Sequence, residues 1–131
     1  MGSDIDRLLD EHDATAVAAA IRSGEVDAAE VMAVSIARAE ERNPALNAFV
    51  STRFDQAAQE AAALDRDAPF AGVPFVVKDL AAQVAGLPHT RGSRLFADDV
   101  SQSDSELVRR YRAAGLIILG TTNAPELGLN A

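Results

Sequence analysis

Lys78 and Asp79 form a charged pair inside the apolar run "GVPFVVKDL". Of the 12 Lys and Arg residues, eleven are Arg, so Lys78 is the sole lysine of the chain. Lysine can give up its proton whereas arginine cannot at any pH a protein survives. Burial disfavours the charged ammonium, and a neutral lysine can then act as a general base or a nucleophile. The same residues admit a plainer reading, a strand-end lysine whose head reaches water or pairs with Asp79. Successive strand residues point to opposite faces, which leaves both readings open.

The remaining candidates carry less chemistry. His12 and His89 sit in polar, turn-rich contexts and are read as surface or loop-packing residues; two histidines make no metal constellation. With no cysteine, thiolate and disulfide chemistry are absent. Ser93, in "HTRGSRLF", lacks the nucleophile-elbow pattern and is read as part of a turn. "LGTTNAPELG" lacks phosphate-loop spacing, and the acidic pairs Glu40-Glu41 and Asp98-Asp99 read as solvated faces.

The elements that must position Lys78 follow from periodicity. At 131 residues the chain is at most one ordinary domain. It is 48% hydrophobic, but 27 of those positions are Ala, and the larger apolar residues concentrate after residue 70. Residues 1–12 read as polar and loosely ordered. Helices are predicted from Asp13 to Gly24, from Asp27 (with Glu30 completing a capping box) to Asn43-Pro44, and across "STRFDQAAQEAAALDRD". "LNAFV" between them reads as a short strand or link. "VPFVVKDL" and "LIILG" are β-branched strands joined by a helix that a Ser103–Glu106 capping box opens and Gly115 stops. "TTNAPELG" reads as a turn into a further helix, with Asn123 as cap and Pro125 in its first turn. Together these give an α/β chain: a helical segment over about 14–66, then the start of an α/β core over about 70–131. The net charge of −8 leaves no electrostatic footprint for nucleic acid or an anionic membrane. The start lacks signal-peptide order and no apolar run reaches a membrane span, so a soluble, cytoplasmic protein is expected.

Taken together, the segments "GVPFVVKDL...AGLPHTRGS" and "SDSELVRRYRAAGLIILGTTNAPELG" closely resemble the amidase signature enzymes, the helical opening is similar too, and the resemblance covers roughly residues 14–131. The resemblance implies a mixed-sheet α/β fold, incomplete in this chain, in which Lys78 occupies the position of the catalytic lysine. In that family a Ser-cisSer-Lys triad hydrolyses amides without a cofactor: the lysine takes the nucleophilic serine's proton through a bridging serine. The two serines stand in a Gly-Gly-Ser-Ser-Gly-Gly-like stretch that also supplies the oxyanion hole, and none of Ser93, Ser101, Ser103 or Ser105 has that context. Thr121 stands where the family often carries a basic residue. Leu127, Gly128 and Leu129 match a segment that tends to line the acyl-binding side, with plain packing as the alternative. The resemblance implies a small-molecule amide substrate. Glutamine-hydrolysing amidotransferase subunits and a non-catalytic interaction module are the competing readings. Strands lacking neighbours should leave open edges and drive self-association. Asp79 beside Lys78 would favour the ammonium unless burial outweighs it or the carboxylate points elsewhere.

Overall fold

The front of the chain turns helical wherever the sequence supplies an apolar stripe. The computed structural model describes residues 2–129, with side chains from Asp4 onward; Met1, Asn130 and Ala131 lie outside the described residues. The expected loose start is instead a helix, α1 (Gly2–Glu11). Its polar composition hides the spacing of Ile5, Leu8 and Leu9, which pack into one apolar cluster with Val17, Ile21, Val31 and Val73. Arg38 locks it down, reaching Asp6 at 2.6 Å and Asp10 at 2.8 Å.

Helix α2 (Ala14–Ser23) begins where Asp13 accepts from the Ala16 amide and ends at Gly24 in the left-handed region. Helix α3 (Ala28–Leu46) opens with Asp27 accepting from Ala29 N at 2.8 Å. Among the described contacts, Glu30 does not return the second bond of a capping box. Nor does α3 stop at Asn43-Pro44 as expected. Asn43 supports one further turn: its carbonyl accepts from Asn47 N at 2.7 Å, and its Oδ1 accepts from Ala48 N and Phe49 N. Strand β1 (Phe49–Thr52) and helix α4 (Phe54–Ala62) follow.

The three strands, with β2 at Pro74–Lys78 and β3 at Ile117–Thr122, form one mixed sheet of order β1-β3-β2. β2 runs parallel to β3 from Pro74↔Ile117 to Lys78↔Thr122, and β1 pairs antiparallel on the other side. Helix α5 (Glu106–Ala113) connects back to β3. Its cap is Ser105, whose Oγ accepts from Val108 N at 3.4 Å, and not the predicted Ser103. The helix expected after Asn123 is a single 3-10 turn, Glu126–Gly128; Asn123 spends its side-chain amide on the Asn47 carbonyl instead.

β3 is buried on both faces, as its unbroken apolar run requires. Ile117 and Leu119 pack with Met32, Ala57 and Ala61 of α3 and α4, while Ile118 packs with Val77, Val84 and Val108 on the α5 side. The core is thus spread along the chain and is not confined to the residues after 70. No described helix is long and apolar enough to cross a membrane.

A half-buried ionic network ties the two faces together at one end. Glu60 of α4 receives Arg53 at 2.5 Å and Arg112 of α5 at 3.1 Å, and Arg112 also reaches Asp104 at 2.8 Å. Burial pushes the Glu60 carboxyl up, but the hydrogen bond and charge of Arg53, then Arg112, outweigh it and hold the group below the usual carboxylate range. A carboxyl depressed in the folded state contributes stability in full above its ordinary value, and that stability is lost as pH falls through the lower folded value. The Glu60 side chain is 36% exposed, so solvent screens part of this, and Glu60→Gln is expected to destabilise the chain by about 0.5–1 kcal/mol at neutral pH. The difference should shrink toward acid, as read by urea unfolding at neutral and acidic pH.

Candidate active site

Parallel strands present their carboxyl ends, and the loops after them, as the usual place for chemistry in open α/β sheets. Here those ends bring together three segments distant in sequence: 78–80 after β2, the "HTRGS" loop (89–93), and 123–128 after β3. Asp79 N donates to Thr122 O at 2.9 Å, carrying the parallel ladder one residue beyond β2. Leu80 N then donates to Lys78 O at 2.8 Å, so the chain turns sharply with Asp79 at the centre.

The alternation of β2 separates the charged pair. Val77 and Asp79 are buried, whereas Val76 and Lys78 are exposed. Asp79 is 0% exposed and does not pair with Lys78. Its carboxylate accepts from Thr90 N at 2.9 Å and from the Thr90 hydroxyl at 2.5 Å. Of the two readings left open for the lysine, the structure shows the plainer one in part: Lys78 stands exposed, and its side chain has no ion-pair or hydrogen-bond partner, Asp79 included, among the described residues. β2 is an edge strand, paired on one side only by β3, and Val76 and Lys78 are the exposed members of its alternation. Beside it lies a groove of about 270 Å³ formed by Phe75, Val76, Lys78, Leu80, Leu107 and Tyr111.

The "HTRGS" loop is welded to its surroundings. His89 is buried, so the loop-packing reading holds and the surface one does not. Its Nε2 faces Leu80 O at 3.0 Å, which makes Nε2–H the donor. Arg91 lies over the Phe96 ring at 4.4 Å and pairs with Asp99 at 3.3 Å. Ser93 donates to Glu126 at 2.7 Å, and Leu127 N donates to Arg91 O at 2.8 Å. Gly92 has φ +69, and a Cβ there would lie 2.5 Å from Ala124 O, so the loop and the turn after β3 are in backbone contact.

Leu127, Gly128 and Leu129 lie on this same end of the sheet. Leu127 holds φ +50 and is 50% exposed, and Leu129 is 71% exposed. Gly128 sits against Leu80, two residues beyond Lys78. These apolar side chains are thus presented outward and do not pack into the core, which leaves them free to meet another surface. Thr121 is buried on β3, and its hydroxyl has no partner among the described atoms, in keeping with a packing role. No group of three or more His, Asp or Glu residues among those described could hold a metal ion. The buried Asp79–Thr90 pair escaped the reading of the sequence, since nothing in "KDL" announces a partner eleven residues away.

Comparison with known proteins gives the arrangement its context. The family profile described as Amidase matches residues 30–131. The chain is 43% identical over 129 residues to the Mycobacterium tuberculosis protein named "Putative amidase AmiC", covering 97% of this chain and 27% of that one. A glutamyl-tRNA(Gln) amidotransferase subunit from Rhodopirellula baltica is 34% identical, over 92% of this chain and 25% of its own length. The solved structure of 6-aminohexanoate cyclic dimer hydrolase superposes with a TM-score of 0.81 at 36% identity, covering 88% of this chain and 24% of the hydrolase. The chain thus spans about a quarter of the length of these relatives. Sequence and fold agree on one assignment: the chain belongs to the amidase signature family.

Proposed function

We propose that this chain supplies the general base of an amide hydrolase, Lys78, within a catalytic unit completed by further polypeptide. The observation that carries the reading is the placement of the only lysine. Lys78 ends a parallel strand at the carboxyl edge of the sheet, unpaired among the described residues, while its neighbouring carboxylate is turned inward to Thr90. A lysine serves as a base once its amine is shielded from water, and the exposed side of Lys78 is where the remaining polypeptide would provide that shield.

In the reaction so envisaged, a serine Oγ–H passes its proton through a second serine to Lys78 Nζ as Oγ attacks the amide carbonyl. The C–N bond then breaks, and the proton returns to the leaving amine. Water hydrolyses the resulting acyl ester, releasing the acid and restoring the serine. Leu127, Gly128 and Leu129 would contact the acyl side of the substrate. No cofactor enters these steps. The test is amide hydrolysis by the full-length amidase that carries this segment: acid and amine should appear in equal amounts, and Lys78→Ala should stop both. Glutamine as the sole accepted amide would favour the amidotransferase reading, which the likeness to the Rhodopirellula baltica protein supports.

The exposed edge of β2 has a consequence for the chain on its own. Val76 and Leu107 are 38% and 47% exposed on either side of the open groove, an apolar surface beside unpaired strand backbone. We propose that two copies of the isolated chain associate through this edge. Sedimentation should give a mass that rises with concentration, and Val76→Lys should return it to that of a monomer. A concentration-independent monomer for the unsubstituted chain would remove the proposal.

A further inference from the structure

We propose that Asp79, acting through Thr90, is a positioning residue that holds Lys78 and the Glu126–Gly128 turn in a fixed relation to each other. This rests on the reading of Lys78 as the base, and it deepens that reading.

The buried carboxylate of Asp79 is an expensive feature. A carboxylate removed from water costs stability unless hydrogen bonds or a cation compensate it. Asp79 is 0% exposed, and none of the described arginines pairs with it. Its compensation comes from one residue, Thr90, which gives both its amide and its hydroxyl. A strand end that needed only packing would be served by an apolar side chain here, as at Val77. The carboxylate instead does something an apolar group cannot, which is to bind a remote loop with direction.

That loop closes a ring. Asp79 is fixed to β3 by its own amide on Thr122 O, so its carboxylate grips Thr90 from a rigid base. From Thr90 the loop runs directly into Arg91, whose carbonyl accepts from Leu127 N, and on to Ser93, which donates to Glu126. Gly128 then lies against Leu80, the residue after Asp79. The strand end, the loop and the turn therefore constrain one another; Asp79–Thr90 is the carboxylate clamp between the first two, beside the His89 Nε2–H bond to Leu80 O. Turned inward, the same carboxylate is also kept from pairing with Lys78, which leaves the amine free of a competing charge.

Two variants test the clamp with little change in shape. Thr90→Val removes the hydroxyl donor alone, and Asp79→Asn replaces an acceptor oxygen with a donor. Thr90→Ser keeps the hydroxyl and serves as the rescue. In the 131-residue chain, amide exchange at Asp79 and Leu127 should quicken by about tenfold or more in Thr90→Val, with Ile118 in the core unchanged and Thr90→Ser restoring the original rates. In the full-length amidase, kcat per titrated active site should fall by roughly 10- to 100-fold in Thr90→Val and recover in Thr90→Ser, since a small displacement of a reacting group has effects of that order. Unchanged exchange at Leu127, or equal acceleration at Ile118, would overturn the proposal. So would altered exchange with an unaltered kcat. The exchange measurement does not depend on amide hydrolysis, so a failure of the clamp and a failure of the Lys78 reading are told apart.

Discussion

Alone, the 131-residue chain is expected to release no measurable ammonia from simple aliphatic or aromatic amides, and to gain activity when mixed with a separately made remainder of the amidase. A base without a nucleophile has nothing to activate. Losing one oxyanion donor typically costs about 100- to 1,000-fold, and removing a nucleophilic serine about a millionfold in a well-studied hydrolase. Two of the chain's serine hydroxyls are already committed, and those of Ser101 and Thr121 are buried. Ser93 donates to Glu126, and Ser105 caps α5. The open groove beside Lys78 and the outward-facing Leu127 and Leu129 give the added polypeptide a surface to cover. Ammonia release before and after mixing reads the outcome. Activity in the chain alone that Lys78→Ala abolishes would contradict the expectation and place the nucleophile within these residues.

What the sequence disclosed and what it concealed divide along physical lines. β-branched runs and left-handed glycines are local signals, so β2, β3 and the stops at Gly24 and Gly115 could be read directly. The motifs around Lys78 led to the right family for the same reason, since their residues are contiguous or nearly so. Helix α1 was missed because its stripe of Ile5, Leu8 and Leu9 is diluted by acidic residues whose partner, Arg38, lies about thirty positions away. Pro44 misled in the opposite direction. Proline removes a donor, but the side chain of Asn43 supplies acceptors that carry the chain out of the helix a turn later. The start of α5 shifted from Ser103 to Ser105 because both serines lie near the helix and only the fold decides which one caps it.

The site shows the same limit more sharply. Lys78 could be singled out as the sole lysine, but its burial could not be judged from its apolar neighbours. Those neighbours describe one strand, whereas exposure depends on what lies beside it, and β2 is an edge. Adjacency in sequence also suggested a Lys78–Asp79 pair, which the alternation of the strand forbids. The partner that Asp79 does have, Thr90, is a long-range contact with no periodic signature.

The most direct measurement is kcat/KM of the full-length amidase carrying Lys78→Arg. Arginine keeps the positive charge and much of the length of lysine, and the fold is expected to stay intact, which a thermal unfolding profile will check. It cannot accept a proton, so a base at this position is lost while a merely cationic or structural role is retained. We expect kcat/KM to fall by about 10⁴-fold or more, comparable to the loss of a member of a serine hydrolase triad. Lys78→Ala should match it, and the unfolding midpoint should not move. A Lys78→Arg enzyme that keeps activity within about tenfold of the original would contradict the assignment of Lys78 as the general base.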